Sequence, residues 1–197
     1  MWKSLSQSFR LVVATTLLFG VAYPAVVTLA GKTLFPREAA GSIVLKDGQP
    51  AGSALFAQKF EGSRYFWPRP SAGDYATVAS GASNLGPSSQ ALKEAIDQRA
   101  EKIVKSFGDL GLTVERTQVP AELLMASGSG LDPHLSPEAA RFQLARVAKA
   151  RGLDETGQQQ LQSLVDAHTE APQYGIFGKP RVNVLMLNLA LESRLGP

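Results

Sequence analysis

Cysteine is absent from this 197-residue chain, and histidine occurs only twice. No disulfide framework is therefore available, and no thiolate cage for a metal. No H-E-x-x-H helix motif occurs, so a zinc site would have to combine Asp132 and His134 with some remote carboxylate. No serine sits in a G-x-S-x-G elbow: Ser129 is flanked at two residues' distance by Ser127 and Leu131, and Ser83 by Gly81 and Leu85. Gly31-Lys32-Thr33 imitates the end of a phosphate loop, but Val26 stands where that loop needs its first glycine. A strong charge imbalance is missing too. Residues 31–197 carry 18 basic and 17 acidic side chains, which argues against DNA or RNA as a partner. No internal repeat shows.

Charge is also missing, completely, from Leu11–Ala30, LVVATTLLFGVAYPAVVTLA. A helix of that length spans roughly 30 Å, the thickness of a bilayer's hydrocarbon core. A secretory signal shares the basic tail and apolar run, but its apolar part is usually shorter, and Thr28-Leu29-Ala30 is a poor cleavage site. The run is read as a transmembrane helix. Pro24 predicts a kink, because its ring crowds the carbonyl of Gly20 and it has no N–H. Gly20, with Ala14, Ala22 and Ala25, allows close approach of neighbouring helices. Pro24 and Gly20 thus mark an expected helix interface.

The flanks set an orientation. Residues 1–10 hold Lys3 and Arg10 and no acid, whereas all 17 acids follow the helix. Short basic segments stay on the cytoplasmic side. The expected layout is a cytoplasmic basic tail (1–10), a single membrane pass (11–30) and one soluble domain (31–197), periplasmic if the cell has a periplasm.

That domain reads as α+β. Two short strands are expected at Ile43–Leu45 and Ser53–Phe60, around a turn at 46–50. Tyr65-Phe66-Trp67-Pro68-Arg69-Pro70-Ser71 is a stiff irregular segment. Either Phe66 and Trp67 plug the core beneath it, or Tyr65, Trp67 and Arg69 form a contact surface. Ser80–Gly86 is a loop by composition, before a helix over 90–107 capped by Ser88 or Ser89. Leu112–Val114 suggests a strand, and 121–125 a short helix. Ser136, Pro137 and Glu138 are the N-cap, first-turn proline and dipole-complementing acid of a helix to about Arg151. Asp154 opens another helix, to His168. Arg181–Leu191 is a closing strand or a helix. Asp132-Pro133-His134 reads as turn chemistry. The Gly/Ser loops at Ser80–Gly86 and Ser127–Gly130 could present backbone N–H groups to an anion, or be ordinary tight turns.

The segments 65–71, Ser83-Asn84-Leu85-Gly86-Pro87, Ala126–Ala140 and Arg181–Leu191, in this order behind one membrane helix, resemble the C-subunit family of the bacterial Kdp potassium-transporting ATPase. The resemblance covers essentially the whole chain. It implies a non-catalytic subunit in the cell inner membrane, assembled with a potassium-channel-like subunit, an ATP-hydrolysing P-type subunit and a small membrane peptide. K+ would be bound by those partners. The phosphorylated D-K-T-G-T motif of P-type pumps is absent here, as that role implies. The family is described as a catalytic chaperone raising the ATP affinity of the pump, and a nucleotide role is attached to its S-G-G-S-N loop. Here that loop reads Ser80-Gly81-Ala82-Ser83-Asn84, followed by Gly86; alanine replaces the second glycine. These residues are the expected nucleotide-associated loop, and Ser127, Ser129, Asp132 and His134 belong with Tyr65, Trp67 and Arg69 to the expected partner surface. A periplasmic domain cannot touch cytosolic ATP, so its influence would pass through the membrane subunits. The alternative is an anchored interaction module of another envelope complex. A hydrolase using Ser129, Asp132 and His134 has no motif context to support it.

Overall fold

The computed structural model describes residues 2–196. The chain divides into two compact units, one up to Ile43 and one from Val44 onward.

The first unit is dominated by helix α1 (Trp2–Leu34), long and apolar enough to cross a membrane and with no buried residue in its length. Two of its four threonines return their hydroxyls to the preceding turn: Thr15 Oγ1 donates to Leu11 O at 2.8 Å, and Thr33 Oγ1 to Leu29 O at 2.8 Å. Neither leaves a polar group open to hydrocarbon. Ahead of Pro24 the ladder widens to a π turn over Leu18–Ala22, where the Tyr23 N–H donates to Leu18 O, five residues back. The missing N–H of proline is thus accommodated by a local change of register. A short turn, α2 (Pro36–Ala39), follows.

A hairpin follows, β1 (Ile43–Lys46) and β2 (Gln49–Ser53), all but its first residue in the second unit. Asp47 and Gly48 both have positive φ, 51° and 76°, the I′ geometry that Asp-Gly favours between strands. A two-residue turn brings the second strand in at once, so the strand expected over Ser53–Phe60 is instead an irregular segment. Its Ala57 N–H donates to Leu131 O at 2.9 Å.

Helix α3 (Gln90–Gly108) buries Ala100, Ile103 and Phe107, which follow its expected apolar face. Ser89 occupies the N-cap, but its side chain makes no capping bond. The strand expected at Leu112–Val114 does not form. The Leu112 N–H closes the helix end by donating to Phe107 O at 3.0 Å, while Gly111 takes the left-handed φ of 73° that this closure needs.

After α4 (Ala121–Leu124) comes β3 (His134–Leu135), then α5 (Pro137–Phe142) and α6 (Leu144–Ala150). Ser136 Oγ accepts the Ala139 N–H at 3.1 Å, the predicted cap. The single helix expected to Arg151 is interrupted at Gln143, whose N–H donates to Ala140 O in a tighter i→i−3 turn. Asp154 caps α7 (Glu155–Ala167) by accepting from Gly157 N–H at 2.8 Å.

Short strands β4 (Thr169–Glu170) and β5 (Arg181–Asn183) complete an antiparallel sheet of order β3-β5-β4, with Leu135 and Thr169 both opposite Val182. Arg181–Leu191 is both of its open readings in succession: three residues of strand, then helix α8 (Val184–Leu195), begun by Asn183 Oδ1 accepting from Met186 N–H at 3.1 Å. Phe66, Leu135, Leu161, Leu164, Val182, Leu187 and Leu191 form the centre of one core between sheet and helices. The architecture is α+β.

Candidate functional site

The segment through Phe66 and Trp67 lies outside any strand, yet its backbone is fully paired. Asn188 on α8 accepts the Phe66 N–H at 2.9 Å and donates to the Phe66 carbonyl at 2.9 Å. Gln143 accepts the Trp67 N–H at 2.8 Å and donates to the Trp67 carbonyl at 3.1 Å. Each carboxamide acts as a one-residue β partner. Arg146, 1% exposed, adds donations to Ser63 O at 2.7 Å and Tyr65 O at 3.0 Å, and its guanidinium lies 4.1 Å from the Trp67 ring centroid. Burial pushes that guanidinium down to about 9, so it stays charged at neutral pH. None of Gln143, Arg146 and Asn188 stood out in the sequence. The available signal was their polar character on otherwise apolar helix faces.

Of the two readings of the aromatic segment, the core plug holds for Phe66. Phe66 is fully buried as a core plug, while Tyr65, Trp67 and Arg69 are only half-buried. The Tyr65 hydroxyl donates to Glu192, which also pairs with Lys46. Tyr65 is shifted upward mainly by that hydrogen bond, and Glu192 downward by Lys46 first and Tyr65 second.

Arg69 leads to the second cluster. Its Nη1 donates to Asp132 Oδ2 at 2.9 Å, and the Asp132 Oδ1 accepts the His134 N–H at 3.0 Å, with His134 Nδ1 at 3.5 Å. The His134 side chain, with its backbone N–H and the Arg69 guanidinium, holds the Asp132 carboxyl below the usual carboxylate range against the opposing effect of burial. This is the expected Asx-type turn, braced from outside by Arg69. Ser129 Oγ accepts the Leu131 N–H at 3.1 Å. Among the described residues no serine hydroxyl bonds to either histidine, so the cluster holds no nucleophile–base pair. Nor do three His, Asp or Glu side chains gather among them to hold a metal.

The two Gly/Ser loops, far apart in sequence, meet. Gly130 has φ 71°, and a Cβ there would come 2.8 Å from the Gly81 carbonyl oxygen. Ser80 and Gly128, Ser129 and Asp132 line one shallow depression with Leu55 and Phe56. Ser127 is buried, its N–H donating to Pro70 O at 3.0 Å, which ties this loop to the 65–71 segment. Ser83, Asn84 and Gly86 lie exposed beyond that contact. Ala82, the residue in place of the second glycine, is not among the positive-φ positions; Asn84, at φ 53°, is. The substitution therefore carries no left-handed backbone strain. Gly20 and Pro24 lie in the other unit, on either side of the end of the π turn in α1.

Comparison with known proteins gives one consistent result. A family model described as "KdpC: K+-transporting ATPase, c chain" matches residues 5–193. The potassium-transporting ATPase KdpC subunit of Geobacter metallireducens is 47% identical over 99% of this chain and 100% of its own length. The subunit of the same name from Rhodospirillum rubrum is 50% identical over 98% of this chain and 97% of its own. That from Methylibium petroleiphilum is 46% identical over 96% and 97%.

Proposed function

This chain belongs to the KdpC family of K+-transporting ATPase c chains, and from that premise we propose a non-catalytic, membrane-anchored subunit that raises the ATP affinity of its pump. Anchoring comes from α1, whose apolar surface is left open along its whole length for lipid or for neighbouring helices. The π turn beside Gly20 and Pro24 offers the close-approach point for those neighbours. The partners are the channel-like subunit that binds K+, the ATP-hydrolysing P-type subunit and a small membrane peptide.

The observation that carries the accessory role is the braced junction of Arg69, Asp132 and His134 with the two Gly/Ser loops. Its polar groups are spent on each other and on backbone, an arrangement suited to presenting a fixed surface rather than to moving a proton. The exposed tip at Ser83, Asn84 and Gly86 stands beyond it as the partner-facing or nucleotide-associated loop. With the domain on the outer side of the membrane, its influence on cytosolic ATP is a coupling free energy transmitted through the membrane subunits, typically 1–3 kcal/mol, or about 5–150-fold in affinity. The test compares the assembled pump containing the full chain with one containing residues 1–40 alone. The KM for ATP should rise at least about fivefold without the domain; an unchanged KM overturns the proposal.

A further inference from the structure

Away from the two loops, a cavity of about 270 Å³ opens between α3, α5–α6 and the 59–75 segment. No residue of 80–86 or 126–134 lines it. Its lining mixes polar side chains with a group of rings, among them Phe60, Trp67, Phe107 and Phe142. Four cations also line it, and their pairing is uneven. Lys59 is neutralised by Asp74 at 3.0 Å and Glu61 at 3.4 Å, the two acids of the lining. Arg99, Lys102 and Arg146 have no carboxylate within ion-pair distance among the described residues. Arg99 donates only to the Leu124 carbonyl, at 2.8 Å, and Lys102 lies over the Trp67 ring at 5.4 Å from its centroid.

Burial is costly for cations without acids. It pulls Arg99 and Arg146 below the ordinary arginine value, although both remain protonated at neutral pH. A bound anion would supply the missing counter-charge. The apolar rings beside these cations would at the same time cover a flat apolar body.

We propose that this cavity is a binding site for a small organic anion, one ionised carboxylate, sulfonate or phosphate group carried on a flat apolar body. The acidic group sits against Arg99 and Lys102 at the mouth, and the body lies among Trp67, Phe107 and Phe142. The volume is just under the ~300–1,000 Å³ of drug-sized sites, which suits a single ring with a short acidic side chain. This assignment is independent of the proposed accessory role and of the family.

Trp67 reports on the site directly. The sequence has two tryptophans, so Trp2→Phe leaves Trp67 as the sole emitter. The full chain carrying that change, in nonionic detergent, is titrated with 3-phenylpropionate and, separately, with the uncharged 3-phenylpropan-1-ol. A saturable change in Trp67 emission is expected for the carboxylate, at least tenfold tighter than for the alcohol. The pair Arg99→Gln and Lys102→Gln should weaken carboxylate binding at least tenfold. Lys102→Gln alone, at an exposed position where folding is not at stake, should weaken it about threefold. Equal response to acid and alcohol overturns the assignment, as does a titration unchanged by Lys102→Gln and by the pair. A linear, non-saturating quench also overturns it, whether or not the pump's KM for ATP depends on the domain.

Discussion

Asn188 and Gln143 perform at single-residue scale what a neighbouring strand does in a sheet. Each carboxamide both accepts from the N–H and donates to the carbonyl of one residue, and the Gln143 oxygen also accepts from Arg146 Nη2 at 2.6 Å. Asn188→Leu keeps the number and branching of side-chain heavy atoms but strands the N–H and carbonyl of a fully buried residue. The expected loss is about 2–4 kcal/mol, from two unsatisfied buried groups. Denaturant unfolding of the full chain checks it, and a loss below 1 kcal/mol would mean that water replaces the amide. Asp132 sets a pH dependence. Its carboxyl ionises more readily folded than unfolded, so its stabilisation is complete above the ordinary carboxylate value near 4 and disappears as pH falls through the lowered folded value. Asp132→Asn should therefore lower the thermal midpoint more at pH 7 than at pH 3. An equal drop at both pH values would show that packing, not charge, is what the carboxylate contributes.

Elements in this protein are made by local chemistry and then placed by contacts that are not local. The Asp47-Gly48 turn, the Ser136 and Asp154 caps and the apolar stripe of α3 are all short-range signals, and each forms where the residues dictate. The loops behave differently. Ser80–Gly86 and Ser127–Gly130 read alike in sequence, as small and polar, but only the approach of Gly130 to Gly81 makes them one feature. Gly130→Ala tests that contact. A left-handed alanine costs about 1–2 kcal/mol in the backbone alone, and the added carbon must also push Gly81 aside. We expect a loss of at least that size in unfolding experiments, together with faster proteolysis within 80–86. Ala82→Gly, by contrast, should change stability by only a few tenths of a kcal/mol, because its backbone is not left-handed.

For the molecule as a whole, topology decides which mechanism is open to it. The chain has no cysteine, so Ser129→Cys carries a unique thiol on an exposed loop position. With its partners present in intact cells, a thiol reagent that cannot cross the inner membrane should label it. Protection in cells with labelling in inverted vesicles would place the domain inside and make direct nucleotide contact the leading mechanism. The charge distribution behind the expected labelling, Lys3 and Arg10 in the N-terminal turns of α1 and every acid after the helix, is a property of the sequence alone.

The same division runs through the fold. The long apolar helix, the hairpin turn, the caps at Ser136 and Asp154 and the α+β class were legible in order along the chain, because their causes act within a few residues: apolar length, turn conformers, side-chain acceptors for free N–H groups. The interruption at Gln143 was not legible, nor the change from strand to helix at Asn183, the empty strand at 112–114 or the meeting of the two loops. For Gln143 and for the two loops the causes lie far away in sequence. Asn188 reaches Phe66 across 122 residues and Gln143 reaches Trp67 across 76. A polar side chain on an apolar helix face says that some buried backbone needs a partner, but only the packed tertiary structure decides which backbone it is.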